Sequence, residues 1–135
     1  MGLDMYLERK KKKTNNVIDT IINQKYEEVF YWRKAYAIND YFDNLVNGLE
    51  NLKKYNINFK DIEDLRNIIE DILNDNSLAS ELLPDQIAIF TSTLSIKDNA
   101  YDCFYFEMLE DTLKGLSKIT EKDFEEYDYF YSAWW

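Results

Sequence analysis

The chain has 135 residues, the length of one domain, and 46% hydrophobic residues with 16% aromatic supply enough apolar surface for a core. Three glycines, one proline and one cysteine argue against long flexible linkers and low-complexity segments and exclude an intramolecular disulfide; Cys103, among Phe104, Tyr105 and Phe106, is expected to be a buried small hydrophobe in a reducing, cytosolic setting. The formal charge is −10, and beyond the basic run "RKKKK" eleven bases face twenty-four acids, a surface that repels nucleic acid and favours basic partners, the plain alternative being the solubilising surface of an ordinary acidic protein.

Leu3, Met5 and Leu7 alternate with Asp4, Tyr6 and Glu8, the period of a half-buried strand. No apolar run approaches the ~18 residues of a membrane span, and the first charges follow a short apolar stretch, the reverse of a signal peptide. The basic run at residues 9–13 has no interleaved aromatic and reads as a solvated strand end. "NVIDTIINQKYEEV" suits either a short helix or a strand. From Tyr31, the residues Ala35, Ile38, Phe42, Leu45 and Leu49 step by four and three, predicting a helix that ends near Gly48 and carries Arg33 and Lys34 off its apolar stripe.

A second helix is predicted in "NINFKDIEDLRNIIEDILNDN", with Ile62, Leu65, Ile69 and Ile72 inward and Asp61, Glu63, Asp64, Glu70 and Asp71 among its acids. Asn58, three residues ahead of Asp61, forms a capping arrangement. "SLASELLP" predicts a short third helix stopped by Pro84, and "DQIAIFTST" a strand. Asp98 or Asn99 then caps a long helix with Tyr101, Tyr105, Met108, Thr112 and Leu116 along one side. "DFEEYDYFYSAWW" alternates through Tyr127, Tyr129 and Tyr131, a strand able to pair with the N-terminal one, with "SAWW" closing the core or forming a dimer contact. The expected fold is α+β over residues 1–135 as a single domain: a small antiparallel sheet of N-terminal, middle and C-terminal strands packed with three to four helices.

Histidine is absent, which removes the commonest general base near neutral pH, the Ser-His and Cys-His pairs and His-based metal sites. The glycines form no phosphate loop or dinucleotide fingerprint, and no carboxylate pair has diagnostic spacing. No catalytic residue, metal site or cofactor is assigned, and a non-enzyme is expected. A binding site has better support in the residues: Trp32 with Arg33 and Lys34, helped by Tyr6 and Tyr36, offers stacking faces and phosphate-compatible cations for a nucleotide-like ligand. The structural alternative makes Tyr31 and Trp32 core residues, with Arg33 and Lys34 paired to surface acids such as Glu27 and Glu28.

The blocks "MGLDMYL", "EVFYWRKAYAINDYF", "ELLPDQ", "YDCFYFEMLEDTLKGL" and "YFYSAWW", in that order, resemble a widespread family of small proteins encoded mostly by phages and prophages of Gram-positive bacteria. That pattern continues its Tyr-Trp-Arg-Lys-Ala block with His and Trp, where this chain has Asn39 and Tyr41, and its glycine- and phenylalanine-rich strand reads here "IAIFTST". The resemblance implies a setting, the cytoplasm of an infected bacterial host, in which small phage proteins often counter immunity. Two routes follow. The acidic body, through Asp61, Glu63, Asp64, Glu70 and Asp71 with Glu107, Glu110, Asp111, Glu125 and Glu126, would occupy the basic nucleic-acid channel of a defence nuclease such as a CRISPR effector. Alternatively, Tyr6, Trp32, Arg33, Lys34 and Tyr36 would sequester a nucleotide-derived immune signal. The acidic inhibitor leads because the charge is present while the family's pocket pattern is eroded. A regulatory or structural phage accessory is the third expectation; no direct nucleic acid and no membrane is expected as partner, and a homodimer is compatible with the sequence.

Overall fold

A computed structural model describes residues 2–13, 25–84 and 103–135. Strand β1 (Asp4–Lys11) is followed by β2 (Glu27–Arg33), helix α1 (Tyr36–Leu45), β3 (Tyr55–Ile57) and helix α2 (Phe59–Asn74). A 3₁₀ turn (Asn76–Leu78) leads into the single-turn α3 (Ala79–Leu82); then come α4 (Cys103–Leu116), the single-turn α5 (Asp123–Glu126) and β4 (Tyr127–Trp134). The four strands form one antiparallel sheet in the order β2-β1-β4-β3, packed with helices, an α+β architecture. The expected pairing of the two terminal strands is present along their whole length, from Asp4 opposite Trp134 to Lys11 opposite Tyr127. The predicted strand at residues 85–93, the capping Asp98 or Asn99, Tyr101 and most of "NVIDTIINQKYEEV" lie outside the described residues.

Side-chain alternation gives the sheet two unlike faces. Met5, Leu7, Trp32, Tyr129, Tyr131, Ala133 and Ile57 point one way and are buried. The helices close over this face: Phe42 of α1 stacks on Tyr131 with ring centroids 3.9 Å apart, Phe124 of α5 on Tyr129 at 4.3 Å, and Thr112 of α4 meets Trp32. Helix α2 buries Ile62, Leu65, Ile69 and Ile72, the apolar stripe expected from its spacing, and Asp61 accepts the Asn58 N–H at 2.9 Å as the capping arrangement requires.

One predicted helix begins too early. Residues 31–33 are the end of β2, and α1 starts only at Tyr36. The four-and-three spacing from Tyr31 is a coincidence of phase; Phe30 and Trp32 inward with Tyr31 outward is the strand period, and the aromatic content favours a pleated surface. Lys34, at φ 55°, makes the left-handed turn between strand and helix, with its N–H donating to the Leu3 carbonyl at 2.7 Å. Two further corrections follow from position. Cys103 is exposed, because the first turn of α4 turns it away from buried Tyr105 and Leu109. Trp134 and Trp135 are 53% and 44% exposed rather than closing the core, since the register with Asp4 puts Trp134 on the sheet face that carries no helix among the described residues.

The end of α4 is held from another element. Arg66 of α2 donates through Nη1 to the carbonyls of Leu116 and Ile119, at 3.1 and 3.0 Å; the Leu116 carbonyl also accepts the Ile119 N–H at 3.0 Å, so the guanidinium adds a cation and a second donor at the negative end of the helix. Arg66→Leu is therefore expected to lower unfolding free energy by about 1–2 kcal/mol in urea denaturation, with Arg66→Lys recovering only part because an ammonium keeps the charge but loses the planar guanidinium's packing over the Phe59 ring, 5.4 Å away. Equal stability of all three proteins would remove this role.

Candidate functional site

The aromatic-basic group divides between the two faces of the sheet. Trp32 is 4% exposed; its indole N–H donates to Thr112 Oγ1 at 2.8 Å, and its ring lies among Phe30, Phe42 and Tyr131. Tyr6, opposite Tyr31 in the β1-β2 register, stands on the other face, where the two rings meet with centroids 5.3 Å apart and the Tyr31 hydroxyl donates to Asp4. Arg33 and Lys34 are exposed, and Tyr36 opens α1, half-buried. Trp32 therefore shares no platform with Tyr6. A shallow recess of about 260 Å³ does touch Tyr31, Trp32 and Arg33, but Asp111 also lines it, and a carboxylate there opposes a phosphate.

The ten candidate carboxylates sit in the helical layer. Asp61 caps α2 and Asp64 pairs with Lys60 at 3.4 Å. Glu63, Glu70 and Asp71 on α2, Glu107, Glu110 and Asp111 on α4, and Glu125 and Glu126 on α5 are all exposed and make no ion pair among the described residues. Helices α2 and α4 pack against each other, which the spacing could not foretell, so six of these eight acids belong to adjacent helices. Several cations are engaged elsewhere: Arg9 with Glu27 at 2.9 Å, Lys53 with Glu50 at 2.8 Å, Lys54 with Glu8, and Arg66 on the end of α4. Arg9 also lies over the Tyr127 ring, so the basic run begins as a structured strand end, and its hydrogen bond holds Glu27 below the ordinary carboxylate value. Among the described residues no group of three or more His, Cys, Asp or Glu could hold a metal ion, and no helix is long and apolar enough to cross a membrane.

Two features escaped the sequence reasoning. A recess of about 480 Å³ lies between α1 and the α3 end, lined by Asp40, Tyr41 and Asp43 on one side and Leu82, Leu83 and Pro84 on the other. Beside it Asn39, at the position where the resembling pattern has His, accepts a hydrogen bond from the Tyr131 hydroxyl at 2.6 Å, while Tyr41 donates to the Asp61 carbonyl at 2.7 Å. The second is the sheet face opposite Trp32 and Tyr131, which carries no helix among the described residues; its signal was the alternation in β2, which the helical spacing from Tyr31 concealed.

Burial, reinforced by nearby carboxylates, raises both the Tyr131 and the Tyr41 hydroxyl well above the ordinary tyrosine value. The folded protein then keeps these protons where the unfolded chain releases them, so this stabilisation is complete below about pH 10 and lost as pH rises beyond it. Each tyrosine is expected to lower stability by about 1.4 kcal/mol per pH unit in that window. Denaturation at stepped pH, with the phenolate absorbance of the wild type compared with that of Tyr131→Phe and Tyr41→Phe, checks this among the eleven tyrosines; loss of phenolate signal near pH 10 in both folded variants would refute it. Comparison with protein-family models, curated proteins and solved structures finds no match to this chain.

Proposed function

We propose that this chain is a phage-encoded counter-defence protein, a non-enzymatic inhibitor whose acidic helical layer enters the basic nucleic-acid channel of a host immune nuclease such as a CRISPR effector. The observation that carries this reading is the set of eight exposed carboxylates on α2, α4 and α5 that make no ion pair among the described residues, outnumbering the exposed Lys114, Lys118 and Lys122 beside them. Uncompensated carboxylates on packed helices produce a negative field able to steer toward, and replace phosphates in, a positive groove. Burial of Trp32 and the presence of Asp111 beside Arg33 make the nucleotide-sequestering alternative the weaker one. The inhibitor would act in the cytoplasm of the infected host and needs no cofactor.

Capture of the tagged chain from a bacterial host with active defence systems, with mass spectrometry of co-purifying proteins and heat-released small molecules, is the first test. A stoichiometric nuclease subunit is expected, bound less tightly as salt rises. The combined Glu63→Lys, Glu70→Lys and Asp71→Lys variant should weaken that complex at least tenfold with its circular dichroism unchanged, whereas Arg33→Ala with Lys34→Ala should not. Charge reversals on α2, α4 and α5 that all leave inhibition intact, or a released nucleotide with no protein partner, would end this proposal.

A further inference from the structure

Every described helix that contacts the sheet lies on the Trp32–Tyr131 face, leaving the other face without a helical layer among the described residues. That face is aromatic. The register sets Tyr31, Tyr6 and Ser132 side by side in one row, and Arg33, Asp4 and Trp134 in the next. Tyr31 is 42% and Trp134 53% exposed, Ser132 beside Trp134 on β4 is 7% exposed, and Phe130 further along carries Tyr26 edge-on with centroids 5.4 Å apart. Tyrosine, tryptophan and arginine are the residues that dominate binding energy at protein interfaces. At the adjoining corner Leu52, 63% exposed, is held at φ 68°, and Asn51 fastens the Trp135 backbone through two hydrogen bonds. A bulky apolar side chain kept outward on a left-handed backbone is a costly arrangement that a covering surface would offset.

We propose that this face is the interface of a homodimer, its occupant a second copy of the same chain packed sheet against sheet. Charge selects the occupant. On a chain of net −10, the face sets Asp4, Glu8, Glu28 and Asp128 against Lys10, Lys54 and Arg33, close to neutrality with both signs present. A two-fold contact must be self-complementary, and this mixed patch allows it where the acidic helices would repel their copies. Size agrees as well. Strands about 4.8 Å apart rising about 3.3 Å per residue give the face a plan area of roughly 400 Å². The projecting rings of Tyr6, Tyr31 and Trp134 add to this plan area, which places the contact at the small end of specific interfaces, the range of a dimer that dissociates on dilution. Packing of this kind keeps the helical layers outward, so the dimer stands or falls independently of the inhibitor function.

Sedimentation equilibrium of the full chain between about 1 and 200 μM tests it. The wild-type protein is expected to pass from monomer to dimer over that range, and Tyr31→Lys with Trp134→Lys to raise the dissociation constant at least thirtyfold with the thermal melt of the diluted monomer unchanged. Should that pair disturb folding, Tyr6→Lys with Trp134→Ser gives the same reading on a second combination. Glu70→Lys, in the helical layer, should leave the dimer intact. A wild-type chain monomeric at every concentration, with the face left to a different partner, overturns the proposal, as does a dimer that survives both face variants.

Discussion

Trp32→Ala is expected to lower the unfolding free energy by about 3–5 kcal/mol, a large share of the total stability of a domain this size. The indole sits where α1, α4 and the sheet meet, with centroids 4.6 Å from Phe30, 6.3 Å from Phe42 and 6.2 Å from Tyr131. Truncation would open a cavity bounded by three separate elements, none of which can collapse into it without loosening another. Trp32→Phe keeps most of the volume but leaves Thr112 Oγ1, which itself donates to the Met108 carbonyl at 2.7 Å, without the indole donor; about 1–2 kcal/mol is expected for that change. Arg33→Ala next to it should fall within about 0.5 kcal/mol of wild type, because its side chain is exposed and unpaired among the described residues. Guanidinium denaturation followed by far-ultraviolet circular dichroism separates the three. A near-neutral Trp32→Ala would contradict its place in the core. The contrast also bears on function: loss of any activity in Trp32→Ala would report unfolding, so the nucleotide alternative has to be tested at Arg33 and Lys34.

Gly115→Val is expected to destabilise by about 3 kcal/mol, although valine has no worse intrinsic helix preference than glycine. A Cβ at this position would lie 2.1 Å from both Cδ2 and Cε2 of Phe30, so α4 rests on β2 at this point through the absence of a side chain. Phe30 is blocked on one side by the Trp32 ring, with centroids 4.6 Å apart, so it can yield only by turning toward the shallow recess that it lines, which loosens its packing on that ring. Gly115→Ala should show the same sign at smaller size, since about 1 kcal/mol of improved helix propensity offsets part of the clash. The decisive comparison is the double variant Gly115→Val with Phe30→Ala. If the contact is the cause, the two changes are strongly non-additive, and the second recovers more than half of the loss from the first relative to the Phe30→Ala background. Additive losses would place the effect within the helix itself.

Local pattern determined much of this protein. The alternation around Met5 and Leu7, the stripe Ile62, Leu65, Ile69 and Ile72, the Asn58–Asp61 cap and the tyrosine alternation in the last strand all appear as their spacing implies, because each depends on neighbours within a few residues. The exposed acids were legible for the same reason, as the polar side of each helix is the complement of its apolar stripe. What spacing could not decide was which of two periods governs residues 31–35. A helical and a strand phase both fit Tyr31, and only the ladder to β1, with Met5 opposite Trp32 and Tyr6 opposite Tyr31, selects the strand. That choice alone sends Trp32 into the core and Tyr31 to the open face, separating a cluster that is contiguous in sequence. The tertiary structure likewise decided that Gly115 meets Phe30, that Arg66 closes α4 and that Trp134 lies uncovered, since each follows from contacts between segments distant along the chain, which no local period encodes.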